Sequence, residues 1–349
     1  MILTLAPMYS YANAQLVAEV SNFGALGCLP PQDPLKLKES LTFLNQNTIN
    51  PFAVNLFCQP NGQFPNINLP KTVLDKFDLY RQELDLPLDP SSVTQSIVTR
   101  VDENLESQIS LIKEFKVPIV IFTFGLPSKE ILNDLKNHGI KLIASVTSVK
   151  EALICEEMGL DIIIAQGFEA GGHRTSLILP EYGDIGTFTL VQSIKKSVSI
   201  PLIAAGGITN GKAIRSVMSL GADGVSMGTL FLTSQECSTP PEHRKIIFNS
   251  TPLTKTVVSR YFTGRPARMI PNRYYDEMKQ LYSELPGTDA NVPWNLSVRD
   301  IFHKASKLNR SDLFIVWGGQ SVGLLGGKPT LPASKILQDL EFEYSQCLE

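Results

Sequence analysis

Hydrophobic residues in the first two thirds of the chain fall into short, mostly β-branched runs, and segments with helical spacing separate most of these runs. A strand that is buried on both faces has such a near-continuous apolar run, as in a parallel sheet. The alternation of these strands with helices predicts an α/β fold. The predicted strands cover residues 2–5, 25–28, 52–56, 119–122, 141–144, 161–165, 201–204 and 224–227.

The segments between the strands predict helices, and two of these begin with clear capping residues. Ser148 with Glu151 three residues later forms a capping-box pattern, and Asn210 precedes another helix as an N-cap. The glycine-rich turns therefore lie at the carboxyl ends of strands. Eight strands fit a (β/α)8 TIM-type barrel with its active site at that end, while an open doubly wound sheet fits the same spacing. The predicted helices cover residues 13–22, 34–45, 102–115, 128–138, 148–158, 187–198 and 210–220.

Two segments interrupt this alternation. Residues 58–100 are rich in Pro, Asn and Gln and form a long insertion after the third strand. Residues 234–308 lack the strand–helix rhythm and contain a helical stretch at 274–285, which predicts a mainly helical insertion over the barrel mouth. The predicted division is a β/α barrel of residues 1–233 and 309–349, ending in a helix at 333–346, with residues 234–308 as a lid subdomain.

Composition narrows the class of protein. The 349 residues are 43% hydrophobic and 19% charged with a net charge of −3, and no basic stripe appears, so nucleic-acid binding is not expected. The five cysteines are odd in number and contain no CxxC pair, which favours neither a disulfide framework nor a metal site. No secretory leader and no apolar run of about 18 residues is found, so we expect a cytoplasmic protein without a membrane segment.

Two glycine turns follow the seventh and eighth predicted strands. They are residues 204–208 (AAGGI) and 221–229 (GADGVSMGT). In barrels this pair of turns commonly binds phosphate, because glycine allows close backbone approach and the amides at a helix N-terminus favour an anion. Tight turns between strands and helices also need glycine for their own geometry, so phosphate binding is the favoured but not the only interpretation.

A third glycine-rich loop follows the sixth predicted strand and carries His173. It spans residues 165–174 (AQGFEAGGHR) and places a titratable ring where parallel α/β enzymes keep their chemistry. Histidine has a reference pKa of about 6.5 and therefore suits general base catalysis. Structural roles are expected for the other histidines: His138 at a helix end, His243 in a surface segment and His303 on an amphipathic stretch.

Together these motifs resemble the class I nitronate monooxygenases, also called 2-nitropropane dioxygenases. The resemblance runs from residue 6 to residue 320, and its glycine–histidine loop is shared with FMN-dependent enoyl-acyl-carrier-protein reductases. Inosine monophosphate dehydrogenase has similar phosphate turns but needs a catalytic cysteine, and none lies between Cys155 and Cys237. Besides the glycine turns, the matching segments are 6–8 (APM), 54–57 (VNLF), 124–127 (FGLP), 166–174 (QGFEAGGHR), 263–268 (TGRPAR) and 317–320 (WGGQ).

The resemblance implies an FMN enzyme that oxidises alkyl nitronates such as propionate 3-nitronate with O2, giving carbonyl compounds and nitrite or nitrate, in a detoxifying role. It implies that His173 is catalytic, either taking the α-proton of a nitroalkane or holding the nitronate. Arg265 and Arg268 are expected at the surface or in ion pairs and are left out of the site. The implied FMN contacts are Ala6, Pro7, Met8, Asn55, Gln166, Gly171, Gly172, Gly206, Gly207, Ser226, Met227, Gly228 and Thr229.

Two departures from the family pattern leave the substrate open. Thr123 stands where family members often have a histidine, and Val292-Pro293-Trp294 stands near the place of a tyrosine–proline pair. One alternative is an NAD(P)H-dependent reductase of enoyl thioesters or quinones on the same scaffold. Another is a flavin module that depends on a carrier protein and uses residues 234–308 for docking. The oligomeric state is open.

Overall fold

The parallel strands form a barrel in this computed structural model, which describes residues 2–58, 69–88, 98–178, 182–281 and 291–347. Within those residues, eight parallel strands pair in the order β1-β9-β8-β6-β5-β4-β3-β2. A parallel bridge between Thr4 and Leu26 joins the two ends of this order and closes the barrel. The predicted TIM-type barrel is therefore confirmed. Its strands are β1 (Ile2–Leu5), β2 (Gly27–Leu29), β3 (Phe52–Phe57), β4 (Ile119–Thr123), β5 (Lys141–Val146), β6 (Ile162–Gln166), β8 (Leu202–Ala205) and β9 (Gly224–Met227).

Helices follow the strands, and the predicted caps hold their first turns. Leu190 and Ile214, on the helices that follow β6 and β8, belong to the same buried cluster as the outward-facing strand residues. Ser148 accepts a hydrogen bond from the backbone of Glu151 at 3.3 Å, and Asn210 accepts one from Ala213 at 2.8 Å. The helices are α1 (Ala14–Asn22), α2 (Pro34–Asn47), α3 (Lys71–Glu83), α4 (Val98–Glu114), α5 (Lys129–Asn137), α6 (Val149–Glu157), α7 (Thr187–Ser197), α8 (Gly211–Ser219), α9 (Pro241–Phe248), α10 (Arg273–Leu281), α11 (Asn291–Lys307) and α12 (Ala333–Gln346).

The inward faces of the strands change from apolar to polar toward their carboxyl ends. Ala53, Ile121 and Ile164 belong to a small cluster inside the barrel. Side chains alternate along a strand, so the residue two positions later points the same way. Those later positions are polar and buried, and they place amide and hydroxyl groups under the barrel mouth: Asn55, Thr123, Ser145 and Gln166.

A second hydrophobic cluster lies outside the barrel sheet. It combines aromatic residues of α3, α10 and α11, including Phe77, Tyr274 and Trp294, with Phe314 of the returning chain. The segment expected to be mainly helical also contains two short strands, β10 (Val257–Ser259) and β11 (Ala267–Met269). They pair antiparallel with each other, and β11 also pairs with β7 (Gly172–His173) of the glycine–histidine loop. This small sheet attaches the later segment to the barrel mouth.

The domain division expected from the sequence stays a prediction. Residues from α3, within the first insertion, belong to the same cluster as those of α10 and α11. Within the described ranges, no helix is both long and apolar enough to cross a bilayer.

Candidate active site at the barrel mouth

His173 lies in the loop after β6. Backbone pairing with β11 and the buried side chain of Gln166 hold it in place. In the register of β7 and β11, His173 lies opposite Ala267. Gln166, at the end of β6, donates its side-chain amide to the His173 carbonyl at 2.9 Å and accepts from the backbone of Thr175 at 3.1 Å. The expected cofactor residue Gln166 therefore fixes the position of the glycine–histidine loop.

The His173 imidazole is packed between aromatic rings. The centroid of Phe124 lies 5.6 Å away in an edge-on arrangement, and that of Trp317 lies 5.4 Å away. Nε2 lies 2.9 Å from Oγ1 of Thr263. Burial, and then the positive charge of Arg265, lower the pKa of His173 to about 3. The ring is therefore neutral at physiological pH, with one nitrogen able to accept a proton.

Arg265 and Arg268 are buried, so of the two expected settings, the surface or an ion pair, the surface location is wrong. Their relative exposures are 1% and 2%. The guanidinium carbon of Arg265 lies 3.9 Å from the centroid of Phe124, a close cation–π contact. The β10–β11 hairpin carries these side chains inward, and hairpin pairing is not visible in the local composition around them. A fixed positive charge therefore lies beside the His173 ring.

Buried arginines also hold the back of the glycine–histidine loop. Arg174 donates to the carbonyl oxygens of Gly167 at 2.7 Å and Gln166 at 3.0 Å. Arg268 donates to the carbonyl oxygen of Phe168 through Nε at 3.0 Å and Nη2 at 2.7 Å. Charge-assisted hydrogen bonds are stronger than neutral ones, so the loop has a rigid support on its carbonyl side.

The glycine turns pack against the segment that follows α11. A Cβ atom added to Gly171 would lie 2.6 Å from the backbone nitrogen of Gly319, so only glycine permits this approach. The Gly319 amide donates to Oγ1 of Thr229 at 3.1 Å. Gly206 and Gly207 have φ angles of 109° and 75°, in the left-handed region that favours glycine. The predicted residues Gly171, Thr229 and Gly206 therefore lie together at the rim of the barrel mouth, where the strands end.

At the N-termini of α7 and α8, backbone amides already donate to carboxylate side chains of the protein. Glu169 accepts the Thr187 amide, at the start of α7, with both carboxylate oxygens at 3.0 and 2.8 Å. At the start of α8, the Gly211 amide donates to Glu343 at 2.8 Å, beside the Asn210 cap. An anion here would therefore depend on the glycine turns and on amides other than those of Thr187 and Gly211, and phosphate binding stays a prediction.

Asn55 carries an unsatisfied polar atom under the mouth. Its side-chain nitrogen donates to the carbonyl oxygen of Ile121 at 2.9 Å and to Oγ1 of Thr123 at 2.8 Å. Because a carbonyl oxygen only accepts, this contact defines which end of the amide is nitrogen. The other end, Oδ1, is buried and has no hydrogen-bond partner among the described residues, as is also true of Oγ1 of Thr4. Buried acceptors without partners indicate a site for a donating ligand.

The remaining predicted contacts come from β1 and β9. Ala6, Pro7 and Met8 are half-buried after the end of β1, and the Ala6 amide donates to the Met227 carbonyl at 2.9 Å. The Met227 side chain belongs to the outer core, so any ligand contact there would use its backbone. Three predicted contacts remain. Ser226 lies on the inner face of β9, Gly228 in the turn after β9, and Gly172 on β7.

The other histidines have structural surroundings. His243 is completely buried rather than at the surface, and its Nε2 lies 2.8 Å from the Trp317 carbonyl oxygen. His138 is exposed at the end of α5 with Nδ1 2.7 Å from the Asp134 carbonyl oxygen, and His303 is exposed on α11. The expectation of structural roles agrees with these positions, but the expected surface location of His243 is wrong.

The two departures from the family pattern lie in different places. Thr123 contacts Asn55 under the barrel mouth. Trp294 is buried in the second cluster with its ring edge-on to Phe77 at 5.6 Å, while the side chains of Val292 and Pro293 lie outside the described residues.

Sequence reasoning did not select three residues that surround His173: Phe124, Thr263 and Arg265. All three lie in motifs that were recognised, but nothing in the local pattern indicates that these side chains converge. Phe124 adopts a φ of 74°, a region that bulky residues rarely occupy and that often marks functional sites.

Comparison with known proteins agrees with this geometry. The family model for nitronate monooxygenase matches residues 1–341. A relative from Staphylococcus aureus (strain Newman), named probable nitronate monooxygenase, is 35% identical over 348 residues, covering 99% of this chain and 94% of the relative.

Solved structures extend the comparison. Nitroalkane oxidase from Streptomyces ansochromogenes superposes with a TM-score of 0.87 at 27% identity, covering 100% of this chain and 96% of that one. FabK from Thermotoga maritima superposes with a TM-score of 0.73 at 25% identity, covering 99% and 93%. The barrel, the His173 loop and the match across almost the whole length lead to one conclusion: this chain belongs to the nitronate monooxygenase family of oxidoreductases.

Proposed function

We propose that the protein is an FMN-dependent enzyme that oxidises alkyl nitronates, such as propionate 3-nitronate, with molecular oxygen. The products are a carbonyl compound and nitrite or nitrate, and the role is detoxification in the cytoplasm. The observation that carries this proposal is the buried imidazole of His173, edge-on to Phe124, with the Arg265 guanidinium over that same phenylalanine ring. A fixed positive charge near the imidazole suits a substrate that becomes an anion when it loses its α-proton.

The residues present fit a flavin mononucleotide. The buried Oδ1 of Asn55 is an unpaired acceptor that suits a ring N–H group. Gly206 and Gly207 have no side chains and adopt positive φ angles, so their backbone is accessible to a phosphate. The residues proposed to hold FMN are Ala6, Pro7, Met8, Asn55, Gln166, Gly171, Gly172, Gly206, Gly207, Ser226, Met227, Gly228 and Thr229.

The protein's own groups perform the acid–base and binding steps. His173 takes the α-proton of a neutral nitroalkane, or holds a nitronate that is already ionised. Arg265 stabilises the negative charge of the nitronate. Phe124 and Trp317 flank the ring and keep water away from it. Bound FMN supplies the electron-accepting and oxygen-reactive chemistry that no side chain provides.

An anaerobic spectroscopic experiment tests this proposal. The purified protein with bound flavin is mixed with propionate 3-nitronate, and a parallel sample is mixed with NADH. Loss of the oxidised flavin band with the nitronate, and little change with NADH, supports nitronate oxidation. A protein that purifies without any flavin, and binds none when FMN is added, contradicts the cofactor assignment.

The same experiment distinguishes the alternative of a reductase. The structural similarity to FabK is the observation that supports this alternative. Rapid loss of the flavin band with NADH alone, followed by reoxidation with an enoyl thioester or a quinone, favours a reductase and contradicts nitronate oxidation as the main activity.

A further inference from the structure

The hydroxyl of Thr263 lies between the His173 ring and a backbone carbonyl. Its Oγ1 atom is 2.9 Å from Nε2 of His173 and 3.1 Å from the carbonyl oxygen of Arg265. Thr263 is buried, with 3% of its surface exposed, in the turn between β10 and β11. Because β11 pairs with β7, this turn is held next to the catalytic loop by main-chain hydrogen bonds.

Counting hydrogen atoms assigns a direction to these contacts. The threonine hydroxyl has one hydrogen, and the carbonyl oxygen of Arg265 can only accept. When the hydroxyl donates to that carbonyl, its oxygen must accept from His173, so Nε2 carries the hydrogen. The reverse arrangement would give the only hydrogen to Nε2 and leave the carbonyl contact without one. The Arg265 amide also donates to this oxygen at 3.4 Å, and the first arrangement satisfies all three contacts. It leaves the lone pair of the neutral ring on Nδ1.

Aromatic neighbours keep the ring from turning over. Phe124 lies edge-on to His173, and Trp317 lies on a tilted plane on another side. A ring that is confined in this way, with Nε2 bonded to Thr263, presents Nδ1 in one direction only. General base catalysis depends on such fixed geometry, because the base must lie within hydrogen-bond reach of the proton it removes.

We propose that Thr263 is a positioning residue that holds His173 as the Nε2–H tautomer with Nδ1 as the base for the substrate α-proton. This inference rests on the proposed function. It implies a division between substrates: a neutral nitroalkane needs proton removal and therefore needs Thr263, whereas a nitronate has already lost that proton. The tautomer itself does not depend on which substrate is used.

The kinetic test compares Thr263→Val, which keeps the shape but lacks the hydroxyl, with Thr263→Ser, which keeps the hydroxyl. Nitroethane and its ionised form, ethyl nitronate, are the probes. We expect the valine variant to lose at least tenfold in kcat/KM with nitroethane and less than threefold with ethyl nitronate. The serine variant should stay within threefold of the wild type with both. Equal losses with both substrates, or no loss with nitroethane, would overturn the proposal.

A spectroscopic test does not need activity. Long-range ¹H–¹⁵N correlation spectra of ¹⁵N-histidine-labelled protein report the tautomer of each ring, and His173→Asn assigns the His173 signals. We expect the Nε2–H pattern in the wild type at neutral pH and its loss or mixing in Thr263→Val. An Nδ1–H pattern in the wild type would refute the inference even where the protein oxidises nitronates. If instead no substrate is oxidised, the proposed function fails and this spectrum still decides the role of Thr263.

Discussion

The guanidinium carbon of Arg265 lies 3.9 Å from the ring centroid of Phe124. The same ring is edge-on to His173 at 5.6 Å, so one aromatic side chain contacts both the fixed positive charge and the proposed base. Burial of the ring, and then the positive charge of Arg265, lower the pKa of His173. This arrangement keeps the imidazole neutral at physiological pH, as the proposed base must be.

The charge of Arg265 can be tested by Arg265→Gln, with Arg265→Lys as the control that keeps the charge. Loss of the positive charge should raise the pKa of His173, because the neighbouring cation no longer disfavours the imidazolium. KM for a nitronate should rise about tenfold, roughly the contribution of one hydrogen bond to a charged group. NMR titration of His173 and steady-state kinetics measure both effects. An unchanged pKa in the glutamine variant would contradict the assigned influence of Arg265.

Replacing the proposed base should separate binding from proton removal. His173→Asn keeps a polar side chain but has no proton-accepting nitrogen at neutral pH, so flavin should remain bound. Turnover of nitroethane should fall by about 10²–10⁴-fold, the usual contribution of a general base. Oxygen consumption with nitroethane and the flavin absorbance of the purified variant provide the measurements. Unchanged turnover of nitroethane would show that another group removes the proton.

The unpaired oxygen of Asn55 should contribute to flavin affinity. Asn55→Ala removes Oδ1 and should weaken FMN binding by about tenfold or more, corresponding to one buried hydrogen bond. Thr123→Val is the matched control, since it removes one partner of the Asn55 amide nitrogen and leaves Oδ1 in place. Fluorescence titration of each flavin-free variant with FMN measures the dissociation constants. Equal weakening in both variants would indicate a general loss of packing instead.

The buried His243 should make stability depend on pH. Burial lowers its pKa to about 4, so the unfolded chain, with a pKa of about 6.5, binds the proton more readily. The stabilisation is therefore complete above about pH 6.5 and is lost as the pH falls toward 4. Urea unfolding of the wild type should show this decline, on the order of 3 kcal/mol.

The matched comparison uses His243→Gln, which keeps a donor for the Trp317 carbonyl but does not titrate in this range. Its stability should fall less between pH 6.5 and 4 than that of the wild type. His173, whose pKa is also lowered, contributes in the same direction in both proteins. A parallel decline in the two proteins would assign the pH dependence to groups other than His243.

The strands, the helices between them and the strand ends that carry the glycine turns could be predicted from the sequence, whereas closure into a barrel rather than an open sheet required the strand pairing. Strands such as β4 (Ile119–Thr123) are buried on both faces, so their apolar runs mark them without reference to the rest of the chain. Capping residues such as Asn210 act within one turn of the helix they begin, so they too can be predicted from the local sequence. Glycine turns after these strands, and a histidine in one of them, then indicated where chemistry would take place.

The side chains that surround His173 could not be predicted from the sequence, because they come from distant segments of the chain. Thr263 lies 90 residues away along the chain, and it reaches the ring because β11 pairs with β7. His243 was expected at the surface, and Arg265 at the surface or in an ion pair, yet both are buried, because burial depends on what packs over a residue from elsewhere. The pKa of His173 follows from that packing and from a neighbouring charge, and neither is a property of the local sequence.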